Sequence, residues 1–251
     1  MIKKKIKMKI LSTSDLHGRL PKISQEFDLL LIAGDVCPVE NHNMKYQEEW
    51  LHGEFAEWID SLPFNTPWSK VVMVPGNHDF IFEKYSKKDC EEIENKCNGR
   101  LKILIHESYE FEYPVSDGTD TLKIFGTPYC SVFGRWAFMI PDDKLEEKFS
   151  EIPEDTDILI SHDSPNVFGL GDITQGYWKK SGTGNRVLYN HIKRVHPKLF
   201  VCGHFHTGNH DLVNDNGVFM TNVSYINEAY EPYWPVLEIE YDEENRKMIG
   251  K

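Results

Sequence analysis

Five short apolar segments constrain what this 251-residue chain can fold into more than any other feature of its sequence. They are rich in leucine, isoleucine and valine, and they lie at residues 9–14, 28–33, 70–74, 157–160 and 198–202. Segments of this length without polar alternation are typical of strands that are buried on both faces. Helix-prone segments separate several of them, at residues 51–62, 83–97 and 187–195, the last with Asn185 as its predicted N-cap. This order predicts an α/β protein.

Two further segments, residues 103–124 and 218–239, have the composition of β-hairpins. The first contains Ser116-Asp117-Gly118 between two β-rich runs, and the second is rich in valine, tyrosine and isoleucine. We find no internal repeat, low-complexity tract or linker that would divide the chain. The sequence therefore predicts one domain over residues 1–251, in which residues 1–7 form either a basic extension or the start of the first strand.

Composition and charge argue against several classes of protein. The 40 acidic residues outnumber the 28 lysines and arginines, and the net charge of -12 opposes nucleic-acid binding by charge alone. No apolar run approaches the roughly 20 residues that cross a bilayer, and no apolar segment of a secretory signal follows the basic N-terminus. The five cysteines are odd in number and not closely paired, which favours reduced thiols. We therefore expect a cytoplasmic protein with no membrane partner, while its oligomeric state stays open.

The strongest functional signal is the set of polar side chains that follows each apolar segment. In chain order these are Asp15 and His17, then Asp35, then Asn77, His78 and Asp79, then His162 and Asp163, and finally His204 and His206. Because strand ends form the ligand crevice of open α/β sheets, we expect these side chains to share one rim.

The chemistry of these side chains indicates a metal site. Oxygen and imidazole donors without a thiolate suit Mn²⁺, Fe²⁺ or Zn²⁺, and seven donors are too many for one tetrahedral ion and about right for two. A single turn of this kind is common and carries little information. Five turns in one chain that all carry potential metal ligands are much harder to attribute to chance.

The motifs Asp-x-His, Gly-Asp, Gly-Asn-His-Asp, Ser-His and Gly-His-x-His, in this order, resemble those of the calcineurin-like metallophosphoesterase superfamily. Between them, Gly126-Thr127-Pro128-Tyr129 and Trp136-Ala137-Phe138 resemble the MPPED-type metallophosphodiesterase group, and the similarity extends over residues 8–241. The resemblance implies an α/β fold of two facing mixed β-sheets flanked by α-helices, a metallo-dependent phosphatase-like sandwich. It also implies a dinuclear metal site at one edge of the sheets.

The resemblance further implies a role for each site residue. One divalent ion would be bound by Asp15, His17, Asp35 and His206, and the other by Asp35, Asn77, His162 and His204. His78 would contact the phosphate, and Asp79 would orient His78. Mn²⁺ is the expected metal, with Fe, Zn²⁺, Ni²⁺ or Mg²⁺ as alternatives. The implied reaction is hydrolysis of a small phosphodiester, such as a cyclic nucleotide, by a metal-bound hydroxide.

Two departures from the family pattern bear on specificity. Val36-Cys37-Pro38 follows the Gly-Asp motif without the arginine that many superfamily members carry there, which weakens the case for a phosphomonoesterase. Asp163 replaces a residue that is small and neutral in many relatives, and it either tunes the site or caps a turn.

Several alternatives stay open at this level. Tyr129, Trp136 and Phe138 either pack in the core or contact the substrate by stacking on a nucleobase. The histidines at positions 42, 52, 106, 191, 196 and 210 lack a matching motif and are interpreted as structural or surface residues. A phosphomonoesterase and a non-catalytic metal-binding scaffold for protein partners are the alternative functions, and the acidic charge disfavours a nuclease.

Overall fold

The computed structural model describes residues 7–116, 118–175, 179–242 and 245–249, and its strands form two six-stranded sheets. The first sheet contains β1 (Lys7–Thr13), β2 (Leu29–Ala33), β3 (Lys70–Val74), β4 (Leu101–Ile103), β11 (Leu237–Asp242) and β12 (Lys247–Ile249). The second contains β5 (Glu107–Val115), β6 (Gly118–Thr127), β7 (Ile158–Ser161), β8 (Leu199–Cys202), β9 (Val213–Asp215) and β10 (Val218–Asn222). Their orders are β12-β11-β1-β2-β3-β4 and β5-β6-β7-β8-β10-β9.

Both sheets are mixed. Strands β1 to β4 run parallel, while β11 is antiparallel to β1. In the second sheet β6, β7, β8 and β10 run parallel, and β5 and β9 pair antiparallel at the edges. The carboxyl ends of the parallel strands are therefore where the predicted metal-binding motifs begin.

Helices cover the outer faces of the sheets. They are α1 (Met44–Trp50), a π-helical turn (Leu51–Phe55), α2 (Ala56–Asp60), a 3₁₀ turn (Phe80–Glu83), α3 (Lys87–Lys96), α4 (Asp142–Ser150) and α5 (Arg186–Val195). Along β2, Leu29 and Leu31 pack between the two sheets, whereas Leu30 and Ile32 pack against the first helical layer. A strand buried on both faces gives the continuous apolar run seen in the sequence. The predicted sandwich of two facing mixed sheets with flanking helices is confirmed.

Most predicted elements are present, with shifted boundaries. The helix at residues 51–62 begins earlier, in α1, and the helix at 187–195 is α5, where the Asn185 side chain accepts a hydrogen bond from the Leu188 amide. The predicted helix at residues 83–97 begins only at Lys87, because Ser86 and Asp89 form a capping box there. The hairpin at 103–124 is the β5–β6 pair, although Asp117 lies outside the described residues.

The second predicted hairpin is wrong. Strands β10 and β11 belong to different sheets, and Ile239 of β11 lies opposite Ile10 of β1. Residue types favour strands at both places, but the long connection between them crosses from one sheet to the other. Of the basic N-terminus, Lys7 is described and begins β1, while residues 1–6 lie outside the described part.

The extent of the domain over residues 1–251 stays a prediction. Among the described residues, no helix combines the length and the hydrophobicity that crossing a membrane requires.

Candidate metal centre

The motifs at the ends of the parallel strands of both sheets meet at one edge of the sandwich. His162 follows β7, and its Nδ1 lies 2.9 Å from the carbonyl oxygen of Ala33 at the end of β2. His204 follows β8, and its amide donates to both carboxylate oxygens of Asp15 at 3.0 and 3.1 Å. These contacts join the two sheets where the sequence predicted a shared rim.

Asp15 lies at the centre of the first group of potential metal-binding atoms. The ligand atoms of Asp15, His17 and His206 all lie within 4.8 Å of one another. The Ser224 hydroxyl donates to Oδ2 of Asp15 at 2.7 Å. Burial alone would raise the pKa of Asp15, but its hydrogen bond and charge interaction with His206 lower it below the ordinary value. The carboxylate is therefore ionised at neutral pH and able to bind a cation.

Asp35 connects this group to the second one. Asp15, Asp35 and His162 form another set of ligand atoms within 4.8 Å of one another. Oδ2 of Asp35 lies 3.6 Å from Nε2 of His17 and 3.4 Å from Nε2 of His162. A carboxylate between two histidines of different groups has the position of a ligand shared by two ions. Asp15 also belongs to both groups, which the sequence did not indicate.

The surroundings of His162 fit a metal ligand. Its Nδ1 must carry a hydrogen, because the Ala33 carbonyl can only accept. Nε2 then faces oxygen acceptors, Asp35 and the Oδ1 atom of Asn77 at 2.8 Å. Burial lowers the pKa of His162, but the Asp35 charge and hydrogen bond raise it to about 10. A cation at Nε2 would take the place of that proton and satisfy the same oxygens.

His17 fits the same chemistry from the opposite side. Both of its ring nitrogens are buried without a hydrogen-bond partner among the described residues. Burial lowers the pKa of His17 to about 3, so the ring is neutral and a nitrogen lone pair is available. An orphaned buried imidazole is costly unless it has a ligand.

His204 and His206 complete the seven predicted ligands. Nε2 of His206 lies 3.5 Å from Oδ1 of Asp15. The centroid of the His204 ring lies 5.0 Å from that of the His162 ring. His204 is therefore next to the second group of potential ligands, although it belongs to neither of the two groups defined above. Burial and the neighbouring His162 lower the pKa of His204 to about 3, which keeps its ring neutral. The structure thus brings all seven side chains together.

Four of these residues have left-handed backbone conformations, which non-glycine residues rarely adopt. The φ angles are 52° for Asp15, 44° for His17, 53° for Asp35 and 71° for His204. Each such residue costs on the order of 1–3 kcal/mol, which surrounding contacts must offset. The Asp15 amide donates to the Gly34 carbonyl, and the His17 amide donates to the Asp35 carbonyl, both at 2.9 Å. The two turns hold each other in these conformations.

Gly34 is required at this point by its own φ of 101° and by close approach. A Cβ atom there would lie 2.8 Å from Cγ of His162 and closer still to its Nδ1. Only glycine leaves room for the imidazole against the end of β2.

Asp79 is placed differently from the role predicted for it. Its carboxylate accepts backbone hydrogen bonds from Val36 at 3.2 Å, Cys37 at 2.8 Å and Gly76 at 2.7 Å. Burial and the nearby Asp35 raise the pKa of Asp79 to about 6. Among the described residues, the Asp79 carboxylate accepts no hydrogen bond from the His78 ring. Asp79 instead ties the Gly-Asp turn to the Gly-Asn-His-Asp turn.

His78 is held by Asp35 and by two residues that the sequence analysis missed, Gln47 and His42. The His78 amide donates to Oδ1 of Asp35 at 2.7 Å, and the His78 carbonyl accepts from Nε2 of Gln47 at 2.7 Å. Its ring Nδ1 lies 3.0 Å from Nε2 of His42. His42 was interpreted as a structural or surface residue, and neither it nor Gln47 belongs to a motif that would have revealed this contact.

An open cleft of about 750 Å³ lies over the centre. Its lining comprises Asp35, Asn77, His78, Ser131, Val132, Phe133, Trp136, Asp163, Ile173, Lys180, Thr183, His204, Phe205, His206, Glu228 and Tyr230. The ring centroids of Trp136 and His78 are 4.3 Å apart. Tyr129 and Phe138 do not line the cleft and pack against the apolar core, so of the three predicted substrate contacts it is Trp136 that faces the cleft.

Asp163 acts as a capping residue beside the cleft. Its carboxylate accepts hydrogen bonds from the Ser164 amide at 2.9 Å, the Ser131 amide at 3.1 Å and the Asn185 side chain at 2.8 Å. Burial raises the pKa of Asp163. Its contacts agree with the turn-capping alternative.

Comparison with known proteins supports this interpretation of the geometry. The sequence pattern of the calcineurin-like phosphoesterase family matches residues 8–208. The chain is 29% identical over 243 residues to human "Metallophosphoesterase domain-containing protein 1", an alignment that covers 90% of this chain and 69% of the relative. It is 27% identical over 247 residues to "UPF0046 protein C25E10.12" of Caenorhabditis elegans, covering 92% and 80% respectively.

Solved structures share the fold at low sequence identity. TT1561 of Thermus thermophilus superposes with a TM-score of 0.57 at 14% identity, covering 96% of this chain and 97% of that chain. Phosphopantetheinyl hydrolase from Mycobacterium tuberculosis superposes with a TM-score of 0.52 at 14% identity, covering 92% and 95%.

Proposed function

Because this chain belongs to the calcineurin-like phosphoesterase family, we propose that it is a hydrolase of small phosphodiesters that depends on two divalent metal ions. Membership of this family makes it a phosphoric ester hydrolase, and the preference for diesters is the proposal. The observation that carries it is the position of Asp35 between His17 and His162, beneath a cleft that also contains His78.

The donor set fits two ions, and each group has a distinct composition. Asp15, His17, Asp35 and His206 would hold one ion, and Asp35, Asn77, His162 and His204 would hold the other. When bound, the ions supply positive charge that attracts a phosphate and lowers the pKa of a water molecule. Only two of the seven ligands are carboxylates, so the loaded centre keeps a positive charge within a protein of net charge -12.

His78 is the residue proposed to act on the substrate. It lines the cleft, and with Nδ1 paired to His42 its Nε2 is the ring atom left for a phosphate or a leaving oxygen. A positioned acid or hydrogen-bond donor of this kind contributes typically 10²–10⁴-fold to the rate. The hydrogen bond that the His78 backbone amide donates to Asp35 fixes His78 beside the carboxylate proposed to be shared.

The charge of the cleft favours a diester over a monoester. Among the described lining residues, Lys180 is the single lysine, and there is no arginine. Two acidic residues, Asp163 and Glu228, line the same cleft. The Gly-Asp motif also lacks the following arginine. A monoester carries roughly two negative charges at neutral pH and a diester carries one, so the site offers the monoester little additional compensation.

Aromatic side chains favour a flat, weakly polar group on the substrate. Trp136, Phe133, Phe205 and Tyr230 line the cleft, and Phe133 is 61% exposed. Base–aromatic stacking contributes on the order of 1–3 kcal/mol per base. A cyclic nucleotide combines such a base with a single negative charge.

The central experiment compares ester classes on the metal-loaded protein. We expect about two equivalents of bound Mn²⁺ and a kcat/KM for bis-nitrophenyl phosphate at least about tenfold above that for nitrophenyl phosphate. Nucleotide diesters and cyclic nucleotides follow in the same assay, with Fe, Zn²⁺, Ni²⁺ and Mg²⁺ as replacement metals. Faster hydrolysis of the monoester would favour a phosphomonoesterase, and two equivalents of metal without hydrolysis would favour a scaffold.

A substitution tests the stacking contact. Trp136→Ala should raise KM for a nucleotide diester by about tenfold, the equivalent of about 1.4 kcal/mol, and raise KM for a small nitrophenyl diester much less. Tyr233→Ala is the matched control, because Tyr233 is 61% exposed and does not line the cleft. Equal effects of Trp136→Ala on both substrates would reduce its role to packing.

Location in the cytoplasm is also part of the proposal. All five cysteines are free thiols, and free thiols persist in reducing compartments. The expected partner is a small phosphoester rather than a nucleic acid, since the acidic net charge opposes a long polyanion.

A further inference from the structure

The segment that begins α1 holds His78 at two points. His42 contacts the ring of His78, with its Nε2 3.0 Å from Nδ1 of His78. Nε2 of Gln47 donates to the His78 carbonyl at 2.7 Å, and Oε1 of Gln47 accepts from the Ile81 amide at 3.0 Å. The side chain and the main chain of His78 therefore have separate anchors.

Local structure fixes where His42 points. Asn43 is the N-cap of α1, and its side chain accepts a hydrogen bond from the Lys45 amide at 2.9 Å. The His42 ring packs between aromatic neighbours, with centroid distances of 5.3 Å to Phe80 and 5.4 Å to Trp136. With these two neighbours, the half-buried ring presents its Nε2 to His78.

Asp79, the neighbour expected to orient His78, is already occupied by backbone amides. Its two oxygens accept from three N–H groups in the turns at Val36, Cys37 and Gly76. We therefore propose that His42 is a positioning residue that orients the His78 ring toward the substrate. The inference rests on the proposed function for its catalytic consequence, but the ring contact itself is independent of any reaction.

The physical basis is the freedom of an imidazole about its last side-chain bond. That torsion is broad and roughly two-fold, so an unpaired ring occupies more than one orientation. Trp136 packs against the ring at 4.3 Å but provides no partner for Nδ1 in that contact. A hydrogen bond at Nδ1 selects one orientation and couples the tautomer of His78 to that of His42.

The first experiment is kinetic and uses the metal-loaded full chain. His42→Ala should lower kcat for the best diester by about tenfold or more, with KM within about twofold and metal content unchanged. His42→Gln should recover activity to within about threefold of the wild type, because a glutamine amide can reach the same position. His52→Ala is the matched control, since His52 lies in the adjoining π-helical turn Leu51–Phe55.

A double-mutant cycle separates positioning from general damage. If His42 acts through His78, then adding His42→Ala to His78→Ala should change kcat by less than about twofold. An equal loss in both backgrounds would mean that His42 supports the centre by another route, and the inference would be overturned.

A spectroscopic measurement decides the inference without hydrolysis. With ¹⁵N-labelled histidine in the zinc-loaded protein, we expect the wild-type His78 ring to show a single tautomer and His42→Ala to change its two ring nitrogen signals. Unaltered His78 signals in His42→Ala would refute the inference whatever the rates are. A wild type that binds metal but hydrolyses no phosphoester would refute the proposed function and leave this spectroscopic result decisive for His42.

Discussion

Gly203→Ala is the substitution that most directly tests how the fold builds the metal centre. Gly203 lies between β8 and His204, where the chain passes the turn that carries Asp15. A Cβ atom at this position would lie 2.7 Å from Cβ of Ser14 and closer still to Oγ of Ser14 and Oδ2 of Asp15. Ordinary contacts begin at 3.4 Å, so either the Asp15 turn or the His204 turn must move.

The magnitude follows from what that movement breaks. A displacement of about 1 Å in a well-packed site costs about 1–3 kcal/mol, which lowers the melting temperature by about 2–4 °C per kcal/mol in a domain of this size. The same displacement separates the Asp15 carboxylate from the His204 amide and the Ser224 hydroxyl, which hold it now. Loss of such supporting bonds typically lowers metal affinity about 10–100-fold.

The assay combines thermal unfolding with Mn²⁺ titration of the same preparations. Gly53→Ala is the matched control, because a Cβ atom at Gly53 meets nothing within 4 Å and the residue lies in the helical turn Leu51–Phe55. Gly53→Ala should stabilise the protein by about 0.5–1 kcal/mol, because alanine favours a helical conformation more than glycine does. If Gly203→Ala bound two equivalents of Mn²⁺ with wild-type affinity and melting temperature, the close approach would not be a structural requirement.

Three further measurements test the metal ligands, the buried thiols and the His78 turn. Mn²⁺ at about 100 times its dissociation constant should stabilise the wild type by about 2.7 kcal/mol for each ion bound, and in thermal unfolding His17→Ala should abolish the share of the ion that His17 would bind. Burial raises the pKa of Cys90 and Cys97 to about 12, well above the ordinary thiol value of 9.0. At pH 8 their thiolate fraction is therefore roughly a thousandfold lower, so thiol reagents should label them rapidly only after unfolding, and native labelling should accelerate as the pH rises. Gln47→Leu should lower the free energy of unfolding by about 2–4 kcal/mol, because the His78 carbonyl and the Ile81 amide both lose a buried partner; an unchanged denaturation midpoint would contradict this.

The layered architecture and the convergence of the candidate ligands at one rim were predictable, because local sequence features indicate both. A strand such as Leu29–Ala33, apolar at every position, can be stable only with packing on both faces, and its polar continuation into Asp35 marks where that packing ends. Chain order then places Asn77 and His162 at strand ends that share one rim. The bridging role proposed for Asp35 follows from the motifs alone, whereas the membership of Asp15 in both groups of potential ligands is visible only in the structure.

The errors arose where contacts join distant segments. Residues 218–239 contain the right residue types for a hairpin, yet Ile239 pairs with Ile10 in the other sheet, at the opposite end of the chain. Pairing across that distance is determined by packing of the whole sheet and leaves no local signal. Tyr129 and Phe138 share the aromatic character of Trp136, and only the fold decides which ring faces the cleft. The His42–His78 contact spans 36 residues and belongs to no motif.

The buried charges and imidazole nitrogens explain why this edge of the sandwich favours cations. Asp15 and Asp35 are left-handed, buried and anionic, and each lies within a short distance of imidazole rings that burial would otherwise keep neutral. The raised pKa of His162 places a proton between its Nε2 and the oxygens of Asp35 and Asn77. Two divalent cations would replace such protons with stronger charge, and one of them would also satisfy one of the two orphaned nitrogens of His17. Folding thus brings these donor atoms together at one edge of the sandwich, and metal affinity and stability would be coupled through the same turns.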